Sequence, residues 1–280
     1  MKIAFFGTPR FAQIVLEKLI DTPYKPDVVI TSVDTPSGRG KNLEPSPVKI
    51  TAQKNAIQVK EAKDLSTLTF DFDLGILAAF GHIIPEKILT IPKHGIINVH
   101  PSLLPEYRGP SPIQTAILDG KQTTGVSIML LDKEIDHGPI IAQQEIAIDP
   151  EDNNQSLHEK LGEEGAKLLL LALQDYISGK AKPAAQNHTK ASFTKHIEKN
   201  DGLINLNHQP THEQFDRMVR AYYPWPGVWT EVKEESGKSV KIKFPGRNLI
   251  QAEGKRPMSI SDFKNGYPHL AKKIEGLMIF

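Results

Sequence analysis

The chain has 280 residues, enough for one large domain or two ordinary ones, and its 39% apolar and 24% charged residues fit a globular protein in water. It holds no cysteine, which excludes disulfides, thiolate nucleophiles, iron–sulfur clusters and cysteine zinc sites, and its ten histidines show no ligand spacing, so no metal is expected. The net charge of +1 carries no argument by itself, and no stretch approaches the roughly 20 apolar residues a membrane span needs.

In chain order, residues 2–6 read as a first strand rather than a signal peptide, and the expected location is cytoplasmic. Gly7-Thr8-Pro9 follows as a turn, with Thr8 as a helix cap and Pro9 at the first helical position. A helix to about Ile20 has apolar residues at 11, 12, 15, 16 and 19. Strands are predicted at 27–32, 72–78 and 95–99, an antiparallel pair at 123–131 and 140–148, and a long helix over 156–177 ending near Gly179. This alternation predicts an α/β, doubly wound, Rossmann-like and mostly parallel sheet. The first turn lacks the Gly-x-Gly-x-x-Gly of a dinucleotide site, so no nicotinamide cofactor is expected. From 180 to 212 periodicity is lost, which reads as a linker over the surface. A short helix over 212–222 and strand-like runs at 228–233, 239–244 and 248–252 form a smaller β-rich domain. The division is then a catalytic domain over 1–182, a linker over 183–205 and a small domain over 206–280. Between Glu231 and Lys273, ten Lys or Arg stand against five acids, a basic stretch suited to a polyanion.

The chemistry concentrates in Asn98-Val99-His100-Pro101-Ser102-Leu103-Leu104-Pro105-Glu106-Tyr107-Arg108-Gly109-Pro110. Residues two apart on a strand share a face, so Asn98 and His100 would project into one site. A carboxamide can hydrogen-bond a reacting carbonyl oxygen, and an imidazole can trade protons near neutral pH. Asp136, in Ile135-Asp136-His137-Gly138, offers a carboxylate to orient that imidazole. Taken singly, these could be a loop cap, a half-buried histidine and a turn residue. Together, with no serine or cysteine partner, they suggest acyl transfer without a covalent acyl-enzyme.

The same residues resemble the folate-dependent formyltransferase family, whose members share Asn-x-His-Pro-Ser-Leu-Leu-Pro-x-Tyr-Arg-Gly followed by Asp-x-Gly. The resemblance implies 10-formyltetrahydrofolate as co-substrate. It gives Asn98 the developing oxyanion, His100 the proton and Asp136 the orientation of the ring. It also implies a folate cleft lined by Ser102, Leu103, Leu104 and Pro105 and by the loop carrying Phe80, Gly81 and Ile83; His82 receives no role. At His137 the family more often has threonine.

Three further stretches resemble the branch that formylates initiator methionyl-tRNA. They are the loop from Thr35 to Lys49, the connector from Phe193 to Asn205, and Val219-Arg220-Ala221-Tyr222-Tyr223-Pro224-Trp225-Pro226-Gly227. Within the first, Arg39 and Lys41 would meet phosphates of the tRNA. In the third, Trp225 between two prolines reads as an apolar anchor locking the small domain to the large one. The family's C-terminal domain is an open β-barrel, and the chain after Trp229 is short for it, so a reduced OB-like barrel is expected. A monomer is expected. The alternatives are a nucleotide-sugar N-formyltransferase and, from another class, a non-catalytic tRNA- or folate-binding protein.

Overall fold

A strand covered on both faces by helices needs an unbroken apolar run, and the chain supplies one at once: β1 (Ile3–Gly7) is buried at every position. The computed structural model describes residues 1–37, 42–62, 65, 70–234 and 237–277. After β1 come α1 (Arg10–Ile20), β2 (Val28–Thr31), the short strands β3 (Thr35–Ser37) and β4 (Asn42–Glu44), α2 (Pro47–Lys54), β5 (Gln58–Glu61) and β6 (Leu74–Ala78). Then follow α3 (Glu86–Leu89), β7 (Ile96–His100), α4 (Pro112–Leu118), β8 (Thr123–Leu130), β9 (Ile140–Ala147) and α5 (Asn154–Ile177).

The main sheet has the order β5-β2-β1-β6-β7-β8-β9. Its first five strands are parallel, while β8 and β9 run antiparallel. The order reverses between β1 and β6, and in such sheets the carboxyl ends of the strands beside this reversal form the ligand crevice. Phe6, Phe72 and Phe80 pack with Ala4, Val28, Ile30 and Ile96 in a buried cluster of this sheet.

Three expectations are corrected here. Thr8 does not cap α1: the N-cap is Pro9, without a side-chain bond, and the Thr8 hydroxyl turns instead to Ser32 Oγ (3.1 Å) and the Phe80 carbonyl (3.3 Å). The long loop from Thr35 ends at Ser46, whose hydroxyl accepts from Lys49 N–H at 3.1 Å and starts α2 at Pro47. The polar strand β5 was not expected, because Gln-Val-Lys-Glu lacks the apolar pattern; it lies at a sheet edge, where polar residues are tolerated.

The chain divides into two units. One comprises Met1–Pro112, Thr123–Ala147 and His158–Thr194, and the other Ile113–Gln122, Ile148–Leu157 and Lys195–Phe280. The second holds α6 (His212–Ala221), β10 (Val228–Lys233), β11 (Ser239–Gly246), β12 (Leu249–Ala252), β13 (Met258–Ser259), α7 (Ile260–Gly266) and α8 (Pro268–Lys273). Its sheet is an antiparallel meander in chain order, open at both ends. Alternation in Val-Trp-Thr-Glu-Val-Lys buries Val228, Thr230 and Val232 on one face. Helix α6 starts at a capping box of Thr211 and Gln214, and its Phe215 meets Phe244 edge-on at 5.0 Å. Trp225 is no buried anchor: its side chain is 56% exposed. No helix among the described residues is long and apolar enough to cross a membrane.

Candidate active site

Strand β7 lies next to β6, one strand from the reversal in the sheet, and its last three residues deliver Asn98 and His100 to the same place, 6% and 4% exposed. Both meet Asp136. Asn98 Nδ2 donates to Asp136 Oδ1 at 3.3 Å, and His100 Nδ1 lies 3.5 Å from the same oxygen. The other ring nitrogen, Nε2, is 3.0 Å from the Tyr107 carbonyl. A carbonyl only accepts, so Nε2 carries a proton and Nδ1 is the nitrogen that can take or give one beside the carboxylate. The second carboxylate oxygen, Oδ2, accepts from Gly109 N–H at 2.8 Å. A carboxylate between such donors has its lone pairs fixed and its orientation set.

Two of these loops hold costly backbone. Tyr107 and Asp136 both have positive φ, 58° and 47°, without being glycine. Such residues typically cost about 1–3 kcal/mol each and persist where the surroundings over-determine them. The glycines beside them are required by space: a Cβ on Gly138 would sit 2.0 Å from the Leu130 carbonyl oxygen, and Gly109 combines φ of 104° with the Thr194 backbone at 3.0 Å.

The loop after His100 is held from the adjacent strands. Ser127, on β8, accepts from Leu104 N–H at 3.0 Å and donates to the Ser102 carbonyl at 2.6 Å, and Gln143, on β9, donates to the Leu104 carbonyl at 2.8 Å. The Ser102 hydroxyl donates to the Glu106 carbonyl, and Leu104 is buried, so these two can meet a ligand only through backbone. The Leu103 side chain lies over Gly125. Pro105, after a cis Leu104–Pro105 bond, is half-buried. Across the crevice, the Phe80 side chain is corrected from cleft to core: it is 2% exposed and edge-on to Phe6 at 5.7 Å. Gly81, with φ of 80°, has open space around it, and Ile83 is 82% exposed. Arg39 and Lys41 lie outside the described residues.

The segment expected to be a surface linker supplies residues that sequence reasoning missed. Gln186 is 6% exposed, and its Nε2 donates to the carbonyls of Asp136 (2.9 Å) and Gly138 (2.7 Å). Its Oε1 accepts from Arg108 at 2.7 Å. Ser192 Oγ accepts from Tyr107 N–H, and Thr194 Oγ1 from Ser111 N–H. No periodicity marks these side chains, because each serves a different loop.

Of the basic stretch, Arg247 is not available to a ligand, being bound to Asp216 and Glu151, whereas Lys241 sits 3.8 Å over the Trp229 ring on the open sheet. Among the described residues no group of three or more His, Asp or Glu is placed to hold a metal ion.

A doubly wound sheet with Asn, His and Asp converging at its crevice is the architecture of a formyl transferase, and the chain matches that family directly. It matches Formyl transferase over residues 1–173 and Formyl transferase, C-terminal domain, over residues 196–245. It is 40% identical to methionyl-tRNA formyltransferase of Sulfurihydrogenibium sp., covering 91% of this chain and 84% of that one. To the methionyl-tRNA formyltransferase of Thermodesulfovibrio yellowstonii it is 37% identical, covering 94% and 95%. Among solved structures, a 4-N formyltransferase from Francisella tularensis shares the fold with a TM-score of 0.68 at 21% identity, over 87% of this chain and 96% of that one. The chain belongs to the methionyl-tRNA formyltransferase family.

Proposed function

We propose that this chain transfers the formyl group of 10-formyltetrahydrofolate to the free amino group of initiator methionyl-tRNA, acting as a monomer in the cytoplasm. The observation that carries the reading is the single carboxylate of Asp136, shared by Asn98 and His100 at the crevice of a chain 40% identical to methionyl-tRNA formyltransferases. The amine nitrogen attacks the formyl carbon, the carbonyl oxygen takes up negative charge, and the bond to the folate nitrogen then breaks. Of the two N–H bonds of Asn98, one is held by Asp136, and the other is the donor for that oxygen. His100 Nδ1 takes the proton from the attacking amine and returns it to the departing folate nitrogen. Asp136 stabilises the imidazolium while it exists. An α-amino group with a pKa of about 8 is partly neutral at physiological pH, so the nucleophile needs no strong activation.

The folate lies along the backbone of Ser102, Leu103, Leu104 and Pro105, with Gly81, Ile83 and the backbone of Phe80 opposite. Loops of this kind give a flat heterocycle apolar walls and backbone hydrogen-bonding edges. Arg39 and Lys41, within the catalytic domain at 1–182, meet phosphates of the tRNA, and the basic stretch of the small domain at 206–280, beyond the linker at 183–205, offers a second contact surface for it. The nucleotide-sugar alternative rests on likeness of fold, as to a sugar N-formyltransferase from Shewanella sp. at 20% identity and a TM-score of 0.63.

The test is single-turnover transfer of labelled formyl from 10-formyltetrahydrofolate, with charged initiator tRNA and an amino-sugar nucleotide offered in parallel. Label is expected on the methionyl amine alone. Label on the sugar alone would overturn the acceptor and leave the chemistry standing, and label on neither would overturn both.

A further inference from the structure

Asp136 is held in a left-handed backbone conformation, and what holds it comes from a distant part of the chain. Residues 184–194 run as a strap along both loops of the site, interrupted by a 3-10 turn at His188–Lys190. Ala184 exchanges two backbone hydrogen bonds with Ile140, each 2.8 Å. Ser192 N–H donates to the Pro105 carbonyl at 3.2 Å, its carbonyl accepts from Arg108 N–H at 2.9 Å, and Thr194 N–H donates to the Arg108 carbonyl at 2.7 Å. Between these anchors Gln186 faces inward. Its amide nitrogen bonds the carbonyls on both sides of His137, those of Asp136 and Gly138, which uses both of its N–H bonds. Its amide oxygen accepts from Arg108 Nε (3.3 Å) and from a terminal nitrogen of the same guanidinium (2.7 Å).

Arg108 is unusual for a buried arginine. It is 3% exposed, and among the described residues its guanidinium meets no carboxylate, only Gln186, His188 Nδ1 at 2.9 Å and the Phe193 ring at 5.8 Å. Buried charges are normally paired with an opposite charge. Here the cation binds the amide oxygen of Gln186 and so polarises the opposite end, strengthening the two N–H bonds to the Asp136 loop. His188 belongs to the same assembly. Since arginine only donates, its Nδ1 must present a lone pair, and its ring stacks on His137 at 4.0 Å and 5°.

We propose that Gln186 is a positioning residue for formyl transfer: driven by Arg108, it pins the backbone on both sides of His137, so that the Asp136 carboxylate is aimed at His100 and Asn98. It touches neither substrate and acts through Asp136. The proposal rests on the function assigned above.

Gln186→Glu separates the two halves of the side chain. The carboxylate keeps and strengthens the bond to Arg108, but it cannot donate to the carbonyls of Asp136 and Gly138. A residue that merely tied the strap to Arg108 would tolerate this change. A positioning residue would not. The expected result is a melting temperature close to wild type, a kcat lowered about 100-fold, as small misplacements of catalytic groups can do, and KM for folate and tRNA within a few-fold. A kcat within threefold of wild type would overturn the proposal, as would a KM increase with kcat unchanged. Should Gln186→Glu not fold, Gln186→Asn keeps the same groups one methylene short, and about a tenfold loss in kcat is expected from the misalignment. Amide exchange by mass spectrometry provides a readout independent of activity: exchange at residues 136–138 should accelerate in the variant, and unchanged exchange there overturns the proposal. Inactive wild-type protein would count against the assigned function, while the exchange comparison would still decide the role of Gln186.

Discussion

Two partly buried aspartates in this molecule are treated in opposite ways. Asp216, in the second unit, is clamped by two guanidiniums: Arg220 Nε donates at 2.9 Å, and Arg247 donates through Nε at 2.5 Å and a terminal nitrogen at 3.0 Å. Asp136, at the crevice, accepts from a backbone N–H and a carboxamide and faces His100 Nδ1 at 3.5 Å, and no Lys or Arg among the described residues pairs with it. Burial pushes the Asp216 carboxyl up, but the bonds from Arg247 and Arg220 outweigh it and hold the group below the usual carboxylate range. Its charge is already answered. The charge of Asp136 is oriented by neutral dipoles and left to respond to a proton arriving on His100. A carboxylate saturated by arginine stabilises a fold, whereas one held by neutral donors can also stabilise a transient cation.

The sharpest way to break that contrast is to remove the group that would become the cation. His100→Ala is expected to lower kcat about 10,000-fold, the upper range for a positioned general acid–base, with folate affinity largely kept. Partial rescue by added imidazole would support a proton-transfer role, and wild-type turnover would end it. Asp136→Asn keeps the size and loses the charge. It should cost up to about 10,000-fold in kcat, as loss of the carboxylate behind a catalytic histidine does elsewhere, while thermal stability changes little. If stability fell and kcat did not, Asp136 would be a second Asp216, and the contrast would be lost.

How much of this was legible in the chain differs from element to element for physical reasons. Parallel strands buried on both faces show as apolar runs, so β1, β2, β6 and β7 stand out, and the period of two along β7 places Asn98 and His100 on one face. The edge strand β5 shows no such pattern, because one side of an edge is free to be polar. Helices α7 and α8 are too short for a helical period to rise above noise. The strap at 184–194 is the most instructive miss. Irregular chain with one short 3-10 turn, held by scattered backbone bonds and single side chains, has no periodicity, and nothing in Pro183-Ala184-Ala185-Gln186 tells that Gln186 serves carbonyls some fifty residues earlier. Phe80 shows the reverse error: a residue in a motif segment was assigned to the ligand, although its side chain belongs to the core.

The other half of the contrast predicts a smaller effect, on stability alone. Asp216→Asn leaves Arg220 without its carboxylate and Arg247 with Glu151 alone, and should destabilise the protein by about 2 kcal/mol near neutral pH, the scale of hydrogen bonds to charged groups. Because the folded-state carboxyl lies below its unfolded value, its contribution is complete above the unfolded value of about pH 4 and is lost as pH falls through the lower folded value. The gap between wild type and Asp216→Asn, measured by denaturant unfolding, should therefore be constant from about pH 5 to 8 and shrink below about pH 4. Turnover at saturating substrates should be unchanged where the variant is folded. A stability gap that stayed constant into strong acid would mean that packing, and not the ionised carboxylate, fixes this cluster. A fall in kcat with stability intact would give Asp216 a part in the reaction that the geometry around Asp136 does not require.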